Sequence, residues 1–427
     1  MLSITIDEMT HALYKLEDKG CRATLLGIGP MSETLIEAAL ILAKEKDFPV
    51  MLIASRNQID SDEFGRGYVC NWDQNDFVQA VRSIAGKIGF DGLCYICRDH
   101  GGPWQRDKER GDKLPPEEAM DIAKRSYLAD LKAGFDLLHI DPTKDPHAGP
   151  VVSMESVLDR TVELIDYVEG ERKKLGLPRI AYEVGTEETN GGLTSEGAYT
   201  EFIEKLTNML IEKGLPLPVF IVGQTGTLTR LTENVGRFNP LFAEKLSDIA
   251  KKYGVGLKEH NADYLSDAIL LMHPSLGVTA ANVAPEYGVV ETAAYLTLAE
   301  IEKTYGDLGI IEHPSLFVQV LRTEAVRTER WRKWLMGADA AKPVDEVLND
   351  EQLANLIMRV GGHYTFEIQA VKREMKVMFG NLSAHGMDPQ KYTVETLKRS
   401  LERYVDCLGL TGLTGKIKEE IQKGVQS

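Results

Sequence analysis

Two ionisable residues stand side by side where an apolar run gives way to a turn: Asp99 and His100 in "LCYICRDHGGPW", residues 93–104. Acid and imidazole meet again in His139 and Asp141 of "DLLHID", and in Glu259 and His260 of "GVGLKEH" followed by "NADY". Three of the nine histidines thus lie at the ends of apolar runs beside an acid. Two imidazoles and a carboxylate with an open position form a catalytic site for a divalent metal. Such a metal polarises a carbonyl and stabilises an enediolate, while a nearby free carboxylate moves protons. His100, Glu183 and His260 come from the third, fifth and seventh runs and are the candidate ligands, with Asp99 as the free base. A lone histidine at such a place is more often hydrogen-bonded structure; the repeated pairing is what favours chemistry. His139 and Asp141 are also read as a pair that orients a ligand from behind. His147, His273, His313 and His385, next to prolines or glycines, are read as structural.

The elements that must position these groups follow a regular rhythm. Eight apolar runs occur at 23–29, 49–55, 92–97, 136–141, 180–185, 218–223, 254–260 and 277–283, with helical periodicity after each, as in 32–46 and 116–134. Helices that end in glycine and lead into β-branched runs are the grammar of βα units. Eight such units within residues 1–308 predict a TIM (β/α)8 barrel, with an open doubly wound sheet as the alternative. Residues 309–427 read as a helical extension, packed on the barrel or on a neighbouring subunit. In a TIM barrel the chemistry gathers at the C-terminal strand ends. Those ends offer Asn57 and Gln58, Asp99 and His100, His139 and Asp141, Glu183 with Glu187 and Glu188, Gln224 and Thr225, Glu259, His260 and Asp263, and Asn282. Asn57, Gln58, His139, Asp141, Glu259, Asp263 and Asn282 are the candidate substrate contacts.

Bulk properties set limits. A net charge of −16 with no basic stripe argues against nucleic acid. Five cysteines make no disulfide framework and point to a reducing cytoplasm, and Cys94 and Cys97, inside a strand, are read as core. No run is long enough to cross a bilayer. "GIGPMS" lacks the third glycine of the dinucleotide fingerprint, so NAD is not expected. "GLTGLTGKI" (409–417) has the wrong spacing for a P-loop, so neither is ATP. "GQTGT" (223–227) is either a backbone nest for an anion or hydroxyl, or an ordinary tight turn.

"IEAAL", "NQ", "DHGGPW", "AGF…HID", "YEVGTE", "GQTGT" and "EHNADY", in this order, resemble the GatZ/KbaZ family, the so-called non-catalytic subunits of tagatose-1,6-bisphosphate aldolase. The resemblance covers most of the barrel, and the tail matches more loosely. That family is similar to the zinc-dependent class II aldolases, which are TIM barrels. The resemblance implies proton transfer at Asp99, metal ligation by His100 and His260, and the strand-five role for Glu183, as ligand or proton-handling carboxylate. Two departures stand out. Gln224 occupies the place of an aldolase histidine, so it ligates weakly or contacts substrate. "NADYLSD" replaces a glycine-rich phosphate loop, putting Asp263 and Asp267 where a phosphate would sit.

Some relatives of the family are ketose C4-epimerases. The resemblance therefore implies one of two activities. One is metal-dependent interconversion of D-fructose and D-tagatose, or of their phosphates, by retro-aldol and aldol steps. The other is an accessory role stabilising a separate aldolase chain. Zinc is the expected metal, and manganese, cobalt and nickel suit the same donors. A small ketose substrate and a homo-oligomer are the expected partners.

Overall fold

The computed structural model describes residues 4–149, 151–186 and 195–426. Glu187 and Glu188 lie outside the described residues. Its strands are β1 (Leu25–Ile28), β2 (Val50–Ser55), β3 (Cys94–Gly101), β4 (Leu137–Ile140), β5 (Ala181–Val184), β6 (Phe220–Val222), β9 (Gly256–Glu259) and β10 (Ala280–Val283). A short antiparallel hairpin, β7 (Thr229–Arg230) and β8 (Glu233–Asn234), falls between β6 and β9. The eight longer pairings are all parallel and close into a barrel in the order β1-β10-β9-β6-β5-β4-β3-β2. This is a TIM barrel followed by a helical extension. Closure is made by β1 on β10, with Leu25 opposite Ala280 and Gly27 opposite Asn282. Gly27 is required there, because a Cβ would meet Asn282 Oδ1 at 2.2 Å.

Sequence chemistry explains the elements. The helix Pro116–Ala133 starts on a proline, whose missing N–H costs nothing in the first turn, and stops at Gly134 with φ +89°. Apolar strand residues pack against the helices, and burial of Leu26, Leu52, Leu138, Tyr182 and Leu257 is nearly complete. Cys94 and Cys97 are free thiols, and burial raises the pKa of both, Cys94 to about 12.

The extension has two parts. Residues 317–384 build a second core on the long eighth barrel helix, Pro285–Asp307, around Tyr295, Phe317, Trp331, Ile357 and Met378. The helices Pro389–Cys407 and Leu413–Gln426 return to the barrel, where Leu397, Leu401 and Leu408 join the main core. Within the extension, the stretch 315–335 is two pieces. A helix over Phe317–Arg327 ends, Glu329 adopts φ 53°, and a 3-10 turn covers Arg330–Lys333. That left-handed residue redirects the chain, and Arg330, Lys333 and Trp334 reach the mouth of the barrel.

Candidate metal centre

Side chains on a strand alternate between faces, so the neighbours Asp99 and His100 should point in opposite directions. They do not. His100 has φ 42°, and the β3–β4 register shifts between Arg98 and Gly101. A positive φ at a non-glycine residue is strained, and here the strain turns His100 toward the mouth beside Asp99. Arg98 keeps the regular alternation, pointing outward to hold Asp130 at 2.5 Å.

Three imidazoles converge at the mouth. His100, His139 and His260, from the ends of β3, β4 and β9, present nitrogens that all lie within 4.8 Å of one another. His100 Nδ1 is 2.6 Å from Asp141 Oδ2, and His260 Nε2 is 2.8 Å from Glu183 Oε1. An ionised carboxylate only accepts, so each of those nitrogens carries the proton and donates it. The opposite nitrogens, His100 Nε2 and His260 Nδ1, face each other at 3.1 Å, and in the neutral rings both carry lone pairs. A pair of nitrogens at that distance is held together either by one shared proton or by a cation that both ligate. His139 Nδ1 accepts the backbone N–H of His100 at 3.1 Å, while its Nε2 is buried without a partner among the described residues. The donor set fits a divalent metal.

Carboxylates back the imidazoles. Asp141 accepts from His100 and, at 2.5 Å, from the Thr143 hydroxyl. Glu183 is fully buried between His260 and the Lys258 ammonium, which donates to it at 2.5 Å. Carboxylate–histidine pairs of this kind fix the tautomer and raise ligand basicity. Burial alone would raise the pKa of Glu183; Lys258, then His139 and His260, outweigh it and hold the group at about 2. Burial is likewise overcome at Asp99, chiefly by His100, and at Asp141 by the His100 hydrogen bond, so both stay well below the usual carboxylate range. At His100 burial lowers the pKa, but Asp99 and Asp141 raise it overall; at His260 burial prevails and lowers it.

Asp99 sits among the three rings, its Oδ1 3.8 Å from His139 Nδ1 and 3.9 Å from His260 Nδ1. Asn282 orients it by donating to Oδ1 at 3.1 Å and keeps its own Oδ1 unpartnered among the described residues. The other candidate residues are placed differently. Gln224 is buried just beyond β6. Glu259 faces away from the mouth, where His273 Nε2 lies 2.9 Å away and the Thr225 hydroxyl donates to it. Asp263 accepts the backbone N–H groups of Ala284 and Glu286, capping the eighth helix; burial pushes its pKa up to about 7. Gln58 closes its own turn by accepting from Ser55 N–H, and Asn57 bridges to Gln105 and Asp107. Within "GQTGT", the Thr227 hydroxyl donates to the His260 carbonyl, tying that loop to the ligand strand.

Residues 10–390 match the family described as D-tagatose-1,6-bisphosphate aldolase subunit GatZ/KbaZ-like. The chain belongs to that family. No curated protein matches it. Among solved structures, a probable tagatose 6 phosphate kinase from Sinorhizobium meliloti 1021 aligns with TM-score 0.74 at 20% identity, covering 90% of this chain and 100% of that one. The fructuronate-tagaturonate epimerase UxaE from Cohnella laeviribosi aligns with TM-score 0.56 at 13% identity, covering 91% and 81%. The fructose-bisphosphate aldolase of Campylobacter jejuni gives TM-score 0.51 at 12% identity, covering 95% and 96%. These structures share the fold of this GatZ/KbaZ-like chain.

Above the cluster of the GatZ/KbaZ-like chain lies a cavity of about 290 Å³, with Asp99, His100 and Asn57 on its barrel side. The extension contributes Arg330, Lys333, Trp334 and Tyr364. The volume is at the low end for small-molecule sites, which suits a sugar-sized ligand. Lys258 was legible as a same-face neighbour of His260, two positions away on one strand. Arg330, Lys333 and Trp334 of the extension carried no comparable signal.

Proposed function

We propose that this chain is a metal-dependent enzyme that epimerises a ketose at C4, in the manner of D-fructose and D-tagatose. The observation that carries the reading is the convergence of three imidazoles beside Asp99, with His100 Nε2 and His260 Nδ1 facing each other. A divalent metal held by His100, His139 and His260, with zinc the first choice, supplies Lewis-acid polarisation of the ketose carbonyl and charge stabilisation. Asp99, kept ionised, takes the proton of the C4 hydroxyl. The electron pair of that oxygen forms the aldehyde as the C3–C4 bond breaks, leaving an enediolate on C1–C3. The aldehyde turns over, C3 attacks its other face, and Asp99 returns the proton to the C4 oxygen. Asn282 holds Asp99 in place, and its open Oδ1 accepts a substrate hydroxyl. Lys258 keeps Glu183 ionised so that His260 retains its tautomer.

The test is incubation of the purified chain with D-tagatose or D-fructose, with added divalent metal and with a chelator, followed by chromatography. Metal-dependent appearance of the C4 epimer supports the reading, and no conversion under any metal removes it. One observation favours the accessory reading instead. An apolar groove of about 1120 Å³, bounded by Leu296, Leu316, Val318 and Leu356, runs along the eighth helix and the extension. Copurification with an aldolase chain, lost in a Leu316→Asp and Leu356→Asp variant, would support that alternative.

A further inference from the structure

The cavity carries a charge pattern that the C4 chemistry does not use. In a chain of net charge −16, its lining holds four cations, Arg110, Lys144, Arg330 and Lys333, against two carboxylates, Asp99 and Asp107. Asp99 belongs to the imidazole cluster. Asp107 is shared, since Arg110 donates to it and Lys333 pairs with it. Arg110 also donates to the carbonyls of Trp104 and Gln105, at 2.6 and 2.9 Å.

Arg330 differs from these. Its guanidinium lies 4.6 Å from the ring centre of Tyr68 and 4.6 Å from that of Tyr364. The two rings meet edge to face at 4.8 Å. Among the described residues its guanidinium makes no direct ion pair or hydrogen bond, and Asp107, already paired with Lys333 and Arg110, feels its charge only from farther away. Aromatic contacts fix the plane of a guanidinium and leave its N–H fork free for a carboxylate or phosphate. The "NADYLSD" loop offers no such place, because Asp263 there is committed to capping a helix.

We propose that Arg330 is a specificity-determining residue: held by Tyr68 and Tyr364, it binds a terminal anionic group of the ketose, a phosphate or a carboxylate. Lys333 and Arg110 add to the local positive potential. The extension thereby supplies anion recognition that the loop after β9 does not. This rests on the ketose reading above for the sugar part of the ligand, but not for the anion site itself.

The test is calorimetric binding, which needs no turnover. The probes are D-tagatose, D-tagatose 6-phosphate, D-tagaturonate and inorganic phosphate, each added to the metal-loaded and the metal-free protein. At least one anionic sugar should bind tenfold or more tighter than D-tagatose, and inorganic phosphate or added salt should compete with it. The stronger of the two anionic sugars identifies the group as phosphate or carboxylate. Arg330→Gln should reduce the anionic-to-neutral affinity ratio at least tenfold. Arg327→Gln, on the exposed face of the preceding helix, should leave it unchanged. An unchanged ratio in a folded Arg330→Gln protein, or equal affinity of the wild type for neutral and anionic sugars, overturns the proposal. Binding that depends on Arg330 without any epimerisation would sink the C4 reading alone. Should Arg330→Gln fail to fold, Tyr364→Leu provides the second reading, with the same ratio expected to fall.

Discussion

At the scale of single residues the site divides into groups that face the ligand and groups that hold them. His139→Ala should lower metal affinity more than Glu183→Gln, because His139 offers a nitrogen to the cluster whereas Glu183 orients His260 from behind. Loss of an orienting partner costs about 10- to 100-fold in affinity. A chelator competition titration on the two variants checks the order, and a larger loss in Glu183→Gln would make the carboxylate a ligand. Asp99→Asn should keep the metal and lose about 10²- to 10⁴-fold in kcat, the usual contribution of a positioned proton carrier. Metal content and rate measured on one preparation separate these effects. Much of this was legible, since acids beside histidines at strand ends marked Asp99, His100, His139 and His260. Strand parity could not show that Asp99 and His100 share a face, because that depends on the φ of 42° at His100 and the slipped register next to it. Nor could it show Glu259 turned toward His273, since adjacent residues on one strand both look eligible until the register is fixed.

At the scale of elements, the junction of extension and barrel is tight. Gly288, on the eighth helix, lies against His363, and a Cβ there would meet the imidazole at 2.5 Å. Gly288→Ala should therefore push the 3-10 turn Gly362–Thr365, with its neighbour Tyr364, away from the cavity. Overpacking of this kind costs roughly 1–3 kcal/mol, readable by urea unfolding. The eight βα units were legible because glycine stops and apolar runs recur with a fixed rhythm. The break at Glu329 was not, because nothing in "RTERWRKW" marks a left-handed residue as glycine or asparagine would.

At the scale of the whole molecule, two buried groups give opposing pH dependences. Burial, then the nearby Arg330 charge, lowers the pKa of His363 to about 3 from an ordinary 6.5. The unfolded chain then binds the extra proton first, so stability falls as pH drops from 6.5 toward 3, by about 2 kcal/mol down to pH 5. Burial raises Glu291 to about 7 from 4.5, despite hydrogen bonds from Ser32 and Tyr295. There the folded chain holds the extra proton, so stability falls as pH climbs from 4.5 to 7, by up to about 3 kcal/mol. The two slopes offset each other between pH 4.5 and 6.5. Glu291→Gln should expose the histidine slope in that window, and His363→Phe the opposite one. Denaturant midpoints at several pH values check both, and parallel curves for wild type and variants would refute the assignment.

The cover of the cavity, Arg330 to Tyr364, comes late in the chain, after every barrel strand. During synthesis the three imidazoles leave the ribosome before the segment that roofs them. The order of translation thus makes the nitrogen donors available first and adds the residues that narrow the entrance second.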